Sequence, residues 1–508
     1  MPRNSSILLL PVDRPKASQF VLFLFGCLTT TTFAPLGWYL LAPILLLPLL
    51  YICLMLSPRD AAKHGFWFGV GLFLTGTYWI YISVAVFGQV PVAIALLLML
   101  GLVLLMSLFL SLTGWFISRL ASGEPWLLLL VAPAVWVAVE WLRGWFLTGF
   151  PWLGLGYSHI DSPLAGWAPV IGVYGVSALI VLIAAAVLVA MLTRQRQQWI
   201  AIAIAVLPWL GGSILKTVEW TQPAGPAFAS TLIQGGISQD RKWLAEQFQP
   251  TLDLYREATQ RVPDSAIVVW PEVAIPSLAD RVEDYIAALD SDSQRTRQSI
   301  VFGILERVYE RSGDAKIYNS VILLDGESRQ VYRKRHLVPF GEYFPVPAPV
   351  REWMRMMNLP HSDLSSGSDV QPLLVAANGT ELAVAICYED AFGAEQLYAL
   401  PEASLLINVS NDAWFGDSIA PHQHLQMARM RALEVGRYVI RATNTGISAF
   451  IGPHGKVIKS GAQFKRVTLT ARVEPRKGLT PYASTGNWPV IGLCLFIVAA
   501  FWLRTRAS

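Results

Sequence analysis

Charged residues are scarce in this sequence of 508 residues. They make up 15% of the chain, whereas hydrophobic residues make up 54%. A soluble protein of this size carries about 25% charged residues, so the composition excludes an ordinary soluble protein and indicates a membrane protein. The formal net charge of +4 is too small to indicate binding to nucleic acid.

Cysteine is also scarce, and several catalytic motifs are missing. Of the four cysteines, only Cys387 lies outside an apolar run, which leaves no disulfide framework and no Cys-x-x-Cys metal site. His422 and His424 come without a third convergent ligand, so we expect no metal and no cofactor. The sequence holds no Gly-x-Ser-x-Gly motif and no glycine-rich phosphate loop, so serine hydrolases and nucleotide hydrolases have no support.

Long apolar runs are present instead. A membrane-spanning helix needs about 20 largely apolar residues, and we identify seven such runs before residue 217 and an eighth from 488 to 503. The seven runs cover residues 18–34, 38–56, 66–88, 91–117, 126–142, 164–192 and 199–215. We therefore predict eight transmembrane helices.

The positive charges of the short loops predict the orientation of these helices. The short loops and tails on the side of the two termini hold ten arginines and lysines, whereas the opposite short loops hold only Arg143. Because cytoplasmic loops are enriched in Lys and Arg, both termini are expected in the cytoplasm. Seven crossings then place residues 218–487 on the far side of the membrane.

Charge also divides the chain into three parts. Residues 1–217 hold 15 charged residues, residues 488–508 hold two, and residues 218–487 hold the other 57. We predict a membrane domain at 1–217, a catalytic domain at 218–487, and the eighth helix with a cytoplasmic tail at 488–508. The middle part alternates β-rich runs with helical patterns, which is typical of a layered α/β domain. Strands are predicted at 231–234, 266–270, 300–303, 320–324, 382–386, 405–409, 438–441 and 447–451, and helices at 241–260 and 424–435.

Three residues with catalytic potential follow predicted strands of the middle part. Glu272 and Cys387 come just after strands, and Lys334 lies about one strand length beyond another. In sheet-and-helix folds such residues point into the functional crevice. A thiol must be ionised to act as a nucleophile, so it needs a base, here Glu272, and a nearby cation, here Lys334. Lys334 and the backbone N–H of Tyr388 could stabilise an oxyanion, so the trio predicts acyl transfer through a thioester.

Each member of the trio also has an ordinary structural explanation. Taken alone, Cys387 could be a small buried residue. Glu272 and Lys334 could form surface salt bridges. The combination of the three residues therefore carries more weight than any one of them.

The segments around the trio resemble a known signature. Trp270 to Glu272, Lys334 to Glu342 and Cys387 to Asp390 resemble the Glu-Lys-Cys motifs of the nitrilase superfamily. With the apolar runs and the loop segments 139–144 and 149–154, all 508 residues resemble the bacterial, membrane-embedded apolipoprotein N-acyltransferase family. The resemblance implies an αββα sandwich with Glu272, Lys334 and Cys387 as the catalytic trio, and Glu342 as an accessory carboxylate that holds Lys334.

The resemblance also implies the reaction and its partners. Members of the family move the sn-1 acyl chain of a phospholipid, typically phosphatidylethanolamine, onto the α-amine of the diacylglyceryl-cysteine that begins an apolipoprotein, which is the final step of lipoprotein maturation. We therefore expect ping-pong kinetics through a Cys387 thioester. We also expect a monomer in the bacterial inner membrane, with its catalytic domain in the periplasm.

Two other functions stay open from the sequence alone. In a membrane-anchored amidase or nitrilase, water would resolve the thioester. A simple anchor needs one span, however, so eight spans favour an enzyme that handles lipids. A transporter or sensor with an inactive nitrilase-like domain would need charged residues at mid-span, and residues 1–217 hold almost none.

Further residues are candidates for substrate binding, each with a plainer alternative. At most one of Glu389 and Asp390 lines the site if their segment is extended, and the resemblance favours Glu389. Asn319 either positions the catalytic groups or belongs to a turn. Trp152 lies in an uncharged loop, which predicts a position at the outer headgroup level. Four aromatic residues are either walls of an acyl and headgroup pocket or plain core: Trp243, Tyr388, Trp414 and Phe415.

An amphipathic pattern at residues 350–359 predicts a helix. Val350, Trp353, Met354 and Met357 recur at i, i+3, i+4 and i+7, which is one helix face. This face either packs on its own domain or rests in the outer leaflet as a mobile lid, with Trp353 as an interfacial anchor.

Overall fold

The computed structural model describes residues 13–311, 313–343, 349, 352 and 364–507. Trp353 and most of the predicted helix at 350–359 lie outside the described residues. The chain divides into two compact units. The helical unit contains the chain up to Glu219, Phe415–Gln426 and the chain from Thr480 onward, and the sheet unit contains Trp220–Trp414 and Met427–Leu479.

Apolar helices build the helical unit. In the described part of the chain, five helices are long and apolar enough to cross a membrane: Val92–Ala121, Pro125–Arg143, Pro163–Leu192, Arg196–Leu215 and Trp488–Arg506. The pair Pro58–Gly76 and Trp79–Phe87, bent by 52°, adds a sixth if it is one span. Pro15–Thr29 and Leu41–Met55 have 15 residues each, and Pro481–Thr485 is a single short helix. The predicted set of apolar helices is therefore present, while the number of eight spans stays a prediction.

Glycines let two of these helices approach closely. A Cβ atom at Gly26 would lie 2.0 Å from the backbone oxygen of Phe68, and one at Gly71 would lie 2.0 Å from that of Phe23. Helix pairs in membranes commonly pack through such small residues, because their backbones can then come into contact. Pro15–Thr29 is thus fitted against Pro58–Gly76 along one glycine-lined face.

The sheet unit contains two large sheets. The strands are β1 Gln222–Pro223, β2 Phe228–Gln234, β3 Ile267–Val269, β4 Ile275–Leu278, β5 Ser299–Tyr309, β6 Ala315–Leu324, β7 Arg329–Arg333, β8 Leu374–Val375, β9 Glu381–Ile386, β10 Leu405–Ser410, β11 Val439–Thr443, β12 Ala449–Ile451, β13 Val457–Ser460, β14 Val467–Val473 and β15 Arg476–Lys477. One sheet has the order β14-β2-β3-β5-β6-β7, with β4 beside β5, and the other has β13-β12-β11-β10-β9-β8. β1 pairs with β15. Each predicted strand overlaps one of these strands.

The two sheets face each other across one apolar core. Val269 and Val301 of one sheet share this core with Ile386 and Ile407 of the other. The helices Ala245–Gln260 and Glu283–Thr296 cover the outer face of the first sheet, where their apolar side chains form a second core. A third helix, Ala420–Val435, follows β10 in the chain. The layered α/β fold is as predicted, and both predicted helices are present.

Because side chains alternate along a strand, the outer face of the second sheet carries a different set of residues. In β10, Ile407 and Val409 point into the shared core, so Asn408 and Ser410 point away from it. β9, β10 and β11 run parallel to one another. Their carboxyl ends therefore meet at the same edge of the sheet, immediately beside Cys387.

Candidate active site

Glu272 lies in the turn that follows β3. The turn rests directly on β5, where the N–H of Gly303 donates to the carbonyl oxygen of Pro271 at 3.1 Å. A Cβ atom at Gly303 would lie 2.7 Å from the Cα atom of Glu272 and 2.5 Å from the nitrogen of Val273. Only glycine therefore allows the Glu272 turn this close to the strand.

Lys334 follows β7, and its N–H donates to the carbonyl oxygen of Asn319 at 2.8 Å. Its side chain is only 1% exposed. The Nζ atom lies 2.8 Å from Oε2 of Glu342 and 3.7 Å from Oε1 of Glu272. Burial lowers the pKa of Lys334, but the carboxylates of Glu342 and Glu272 outweigh it, so the pKa lies above its ordinary value. The side chain is therefore a buried ammonium ion at neutral pH.

Asn319 joins the two carboxylates. It lies within β6 rather than in a turn. Its Nδ2 atom donates to Oε1 of Glu272 at 2.7 Å and to Oε1 of Glu342 at 3.0 Å. The N–H of Val338 donates to the other oxygen of Glu342 at 2.8 Å. This geometry suits a positioning role for Asn319 and an accessory role for Glu342.

Cys387 ends β9 and begins the 3₁₀ helix Cys387–Ala391. Its φ angle is +52°, in the left-handed region that a residue with a side chain enters at a cost. Burial and the charge of Glu272 raise the pKa of the thiol, Lys334 lowers it, and Asp412 raises it; the net change is upward. The resting thiol is therefore protonated, and a base must remove its proton during the reaction.

The residues after Cys387 differ from the expectation. An extended segment was expected to turn Glu389 and Asp390 to opposite sides, but both are buried in the 3₁₀ helix. The extended expectation is wrong because the left-handed φ of Cys387 ends the strand. Glu389 accepts hydrogen bonds from the N–H groups of Ile386 and Arg335 and from the hydroxyl of Tyr332. It thus connects the Cys387 turn to the Lys334 loop.

The aromatic candidates fall in two places. In the sheet unit, Trp243 is 54% exposed and Trp414 is 42% exposed, whereas Tyr388 is buried against the ring of Phe392 at 5.0 Å. Phe415 and Trp152 belong to the helical unit. Their binding roles stay predictions.

In the helical unit, the predicted aromatic residues pack inward. The ring of Phe415 lies 4.7 Å from that of Trp79. Trp152 is fully buried, and its Nε1 atom donates to Oε1 of Gln423 at 2.6 Å. The indole of Trp152 is thus buried inside the helical unit.

Lys242 is a residue near the site that the sequence reasoning did not assign to it. Its buried Nζ atom donates to the backbone oxygen of Glu272 at 3.3 Å. Burial lowers its pKa to about 8, although the negative charge of Glu272 acts in the opposite direction. The sequence signal was its place beside Trp243, a predicted binding residue, in a pair that also resembles the family's pattern. Within the described part of the chain, no group of three or more His, Cys, Asp and Glu residues could hold a metal ion.

Residues 231–479, which contain Glu272, Lys334 and Cys387, match the family model "Carbon-nitrogen hydrolase". Residues 25–186 match a second model, "Apolipoprotein N-acyltransferase N-terminal domain". The chain belongs to the apolipoprotein N-acyltransferase family, since relatives of that name are 38–42% identical to it over 94–99% of its length.

Relatives match along nearly the whole chain, which confirms the resemblance drawn from the motifs. The apolipoprotein N-acyltransferase of Methylococcus capsulatus is 41% identical, with 95% of each chain covered. That of Nitrosomonas europaea is 42% identical, covering 94% of this chain and 97% of the relative. That of Vibrio cholerae is 38% identical, covering 99% of this chain and 100% of the relative.

Solved structures match about half of the chain, with lower sequence identity. An amidase of the nitrilase superfamily from Nesterenkonia is 18% identical, covering 53% of this chain and 97% of that chain, with a TM-score of 0.38. A carbon-nitrogen hydrolase from Helicobacter pylori is 16% identical, covering 49% of this chain and 89% of that chain, with a TM-score of 0.38.

Proposed function

We propose that this protein transfers the sn-1 acyl chain of a phospholipid, such as phosphatidylethanolamine, to the N-terminal amine of diacylglyceryl-cysteine apolipoproteins. The observation that carries the proposal is the match to acyltransferase relatives over 94–99% of the chain, apolar helices included. An enzyme that only hydrolysed soluble amides would need one anchoring span, whereas a lipid donor calls for an extensive membrane part.

The first half-reaction forms an acyl-enzyme. Glu272 removes the proton of the Cys387 thiol, and the sulfur attacks the ester carbonyl of the phospholipid. The Lys334 ammonium stabilises the oxyanion that develops on the carbonyl oxygen. As the tetrahedral intermediate collapses, the C–O bond breaks, and Glu272 returns its proton to the departing lysophospholipid.

The second half-reaction resolves the thioester. Glu272 takes a proton from the incoming α-amine, whose nitrogen attacks the thioester carbonyl. The C–S bond breaks, and the sulfur recovers a proton from Glu272. Glu272 thus acts as a base and then as an acid in both half-reactions. Its position supports these roles, because Asn319 donates a hydrogen bond to one of its oxygens at 2.7 Å.

The proposal includes a topology. Residues 1–217 cross the bacterial inner membrane seven times and the segment after residue 488 crosses once, so the catalytic domain at 218–487 lies in the periplasm and both termini in the cytoplasm. The helices Pro15–Thr29 and Leu41–Met55 are about 22 Å long, so they span a core of about 30 Å only together with their flanking residues. In single-cysteine variants, Arg194→Cys should react with an impermeant maleimide from the cytoplasmic side only, and Lys477→Cys from the periplasmic side only.

Acyl transfer is tested by mass spectrometry of the purified protein. With labelled phospholipid and no acceptor, the peptide that contains Cys387 should gain the mass of one acyl chain. Addition of a diacylglyceryl peptide should move that chain to the peptide amine, and the steady-state kinetics should be ping-pong. Cys387→Ala should form neither product.

Two outcomes would contradict the proposal. Release of free fatty acid in the presence of the acceptor would indicate a hydrolase. Transfer with sequential kinetics, and without an acyl adduct on Cys387, would indicate direct attack by the amine.

A further inference from the structure

A buried charge cluster lies on the outer face of the second sheet. Arg441 in β11 is paired in register with Asn408 in β10, and its guanidinium is fully buried. Nη2 of Arg441 donates to Oδ2 of Asp412 at 2.9 Å, and Nη1 donates to the amide oxygen of Asn408. The same Nη1 atom lies 3.5 Å from Oδ2 of Asp390.

The energetic cost of this cluster suggests that it does more than stabilise the fold. Moving charges out of water costs several kcal/mol per ion, and apolar side chains of similar volume often do as well or better. The position is the centre of a strand whose neighbours Ile440 and Ala442 are apolar core residues. An apolar residue at position 441 would allow the same strand pairing and would need no carboxylate partner.

The cluster is connected to the thiol through two routes. Asp390 lies in the 3₁₀ helix that begins with Cys387. Ser410, at the end of β10, hydrogen-bonds the thiol of Cys387, and its Oγ atom lies 3.4 Å from Oδ1 of Asp412. Of the charged groups around the thiol, Glu272 and Asp412 disfavour the thiolate and Lys334 favours it.

Asp412 has little freedom to move away from Arg441. A Cβ atom at Gly446 would lie 2.4 Å from Oδ2 of Asp412, so the backbone of residue 446 closes one side of the carboxylate. The guanidinium of Arg441 also contacts Oδ2, and the hydroxyl of Ser410 contacts Oδ1. The carboxylate is therefore fixed close to the thiol, where its negative charge would oppose ionisation.

We propose that Arg441 is a positioning residue for Cys387, which neutralises Asp412 beside the thiol and fixes the Ser410 and Asp390 contacts of the Cys387 turn. The consequence for catalysis rests on the proposed acyl transfer. The electrostatic part does not, because it concerns the reactivity of the thiol alone.

Alkylation of Cys387 tests the electrostatic part directly. The full-length protein in detergent micelles is treated with iodoacetamide between pH 7 and 9, and the alkylated Cys387 peptide is quantified by mass spectrometry. Only the thiolate reacts, so a charge change near the thiol alters the rate at every pH below the pKa of the thiol. No phospholipid or apolipoprotein takes part in alkylation. The alkylation test can therefore contradict the role of Arg441 while acyl transfer is confirmed, and it can support that role while acyl transfer is disproved.

The variants have opposite expected effects. Arg441→Met leaves Asp412 uncompensated and should slow alkylation about 10-fold, which is one pKa unit for a nearby charge. The isosteric Asp412→Asn keeps Arg441 and should accelerate alkylation. The double variant should react faster than Arg441→Met and more slowly than Asp412→Asn, because Asp412 is then neutral while Asp390 lacks its cation.

Arg437→Met is the matched control. Arg437 is equally buried, but its guanidinium bonds to backbone oxygens, including those of Ala403 and Gly478. Its loss should lower stability and leave the alkylation rate unchanged. A folded Arg441→Met protein with the wild-type rate would overturn the proposal. If Arg441→Met does not fold, Asp412→Asn decides the question, since an unchanged or slower rate in that variant also overturns it.

Discussion

At the scale of single residues, two carboxylates fix the position of the Lys334 ammonium group. The Nζ atom of Lys334 has Glu342 at 2.8 Å and Glu272 at 3.7 Å. Both carboxylates are in turn held by Asn319. In the proposed reaction, the oxyanion therefore meets a donor that is already oriented, which is how such donors lower a barrier.

Lys334→Arg should therefore be a poor substitute although it keeps the charge. The planar guanidinium is larger than an ammonium and does not fit between the two carboxylates without moving one of them. We expect the rate of acyl-enzyme formation to fall about 10²–10³-fold, as for loss of one oxyanion donor. Single-turnover measurement of the Cys387 adduct gives this rate.

The neighbouring arginine provides the control for this change. Arg333 pairs with Glu306 at 2.7 Å, and its side chain is 35% exposed. Arg333→Lys should keep nearly wild-type rates, because lysine preserves the positive charge beside Glu306 and this pair does not include a member of the trio. Wild-type rates in a folded Lys334→Arg protein would remove Lys334 from the catalytic step.

Lys242 makes folding stability depend on pH. Burial lowers its pKa in the folded protein to about 8, from the ordinary value of 10.5. Below pH 8 the ammonium is charged in both states, and the folded state bears the full cost of burying it. Above about pH 10.5 it is neutral in both states and that cost is gone. Stability from this group thus rises with pH across this window, by about 3 kcal/mol at most.

Comparison with Lys242→Met isolates this effect from other titrating groups. The difference in unfolding free energy between the wild type and Lys242→Met should change between pH 8 and 10.5, in favour of the wild type at the higher pH. Denaturant unfolding in mixed micelles measures the difference. A difference that does not vary with pH would mean that Lys242 keeps an ordinary pKa.

At the scale of elements, the turn after β9 and the loop after β7 are joined by one carboxylate. Glu389 accepts hydrogen bonds from Ile386 on one side and from Arg335 and Tyr332 on the other. Hydrogen bonds to a charged group contribute about 1.5–3 kcal/mol each. The relative position of Cys387 and Lys334 thus depends on Glu389.

Two substitutions should separate the contributions to this junction. Tyr332→Phe removes one donor and should lower the unfolding free energy by about 1.5–3 kcal/mol. Glu389→Gln places an amide N–H₂ against backbone N–H donors, so it should cost more and lower acyl-enzyme formation more than 10-fold. If Glu389→Gln were no more damaging than Tyr332→Phe, the junction would not depend on the carboxylate.

The elements also mark where sequence reasoning succeeded and where it stopped. Glu272 and Cys387 were predicted together because apolar runs placed them at strand ends, and the family resemblance drawn from these motifs is confirmed. The 3₁₀ helix at Cys387 was missed because nothing in Cys387–Ala391 signals a left-handed φ at a cysteine. Arg441 was missed because its burial depends on partners from β10 and from the 3₁₀ helices that follow β9 and β10. A charged residue in the middle of a buried-strand pattern was the available signal.

At the scale of the whole molecule, the chain returns to the helical unit after the sheet unit has begun. Phe415–Gln426 belongs to the helical unit although most of its sequence neighbours belong to the sheet unit. The buried hydrogen bond from Trp152 to Gln423 connects residues 271 positions apart. The helical unit is therefore incomplete without a segment encoded far downstream.

Trp152→Phe should reveal how much this connection contributes. It leaves the buried Oε1 atom of Gln423 without its donor, which costs about 1–3 kcal/mol. In a Gln423→Leu background the same change should cost clearly less. Trp38→Phe, at a side chain that is 55% exposed, should change stability by less than about 0.5 kcal/mol. Equal losses in both backgrounds would show that the hydrogen bond does not couple the two residues.

The left-handed φ of Cys387 has a consequence for evolution of the enzyme. Glycine is the residue best suited to such a backbone, and any side chain there adds about 1–2 kcal/mol of strain. A mutation to glycine would therefore relax the fold while removing the proposed nucleophile. Fold stability and the proposed thioester chemistry thus favour different residues at position 387.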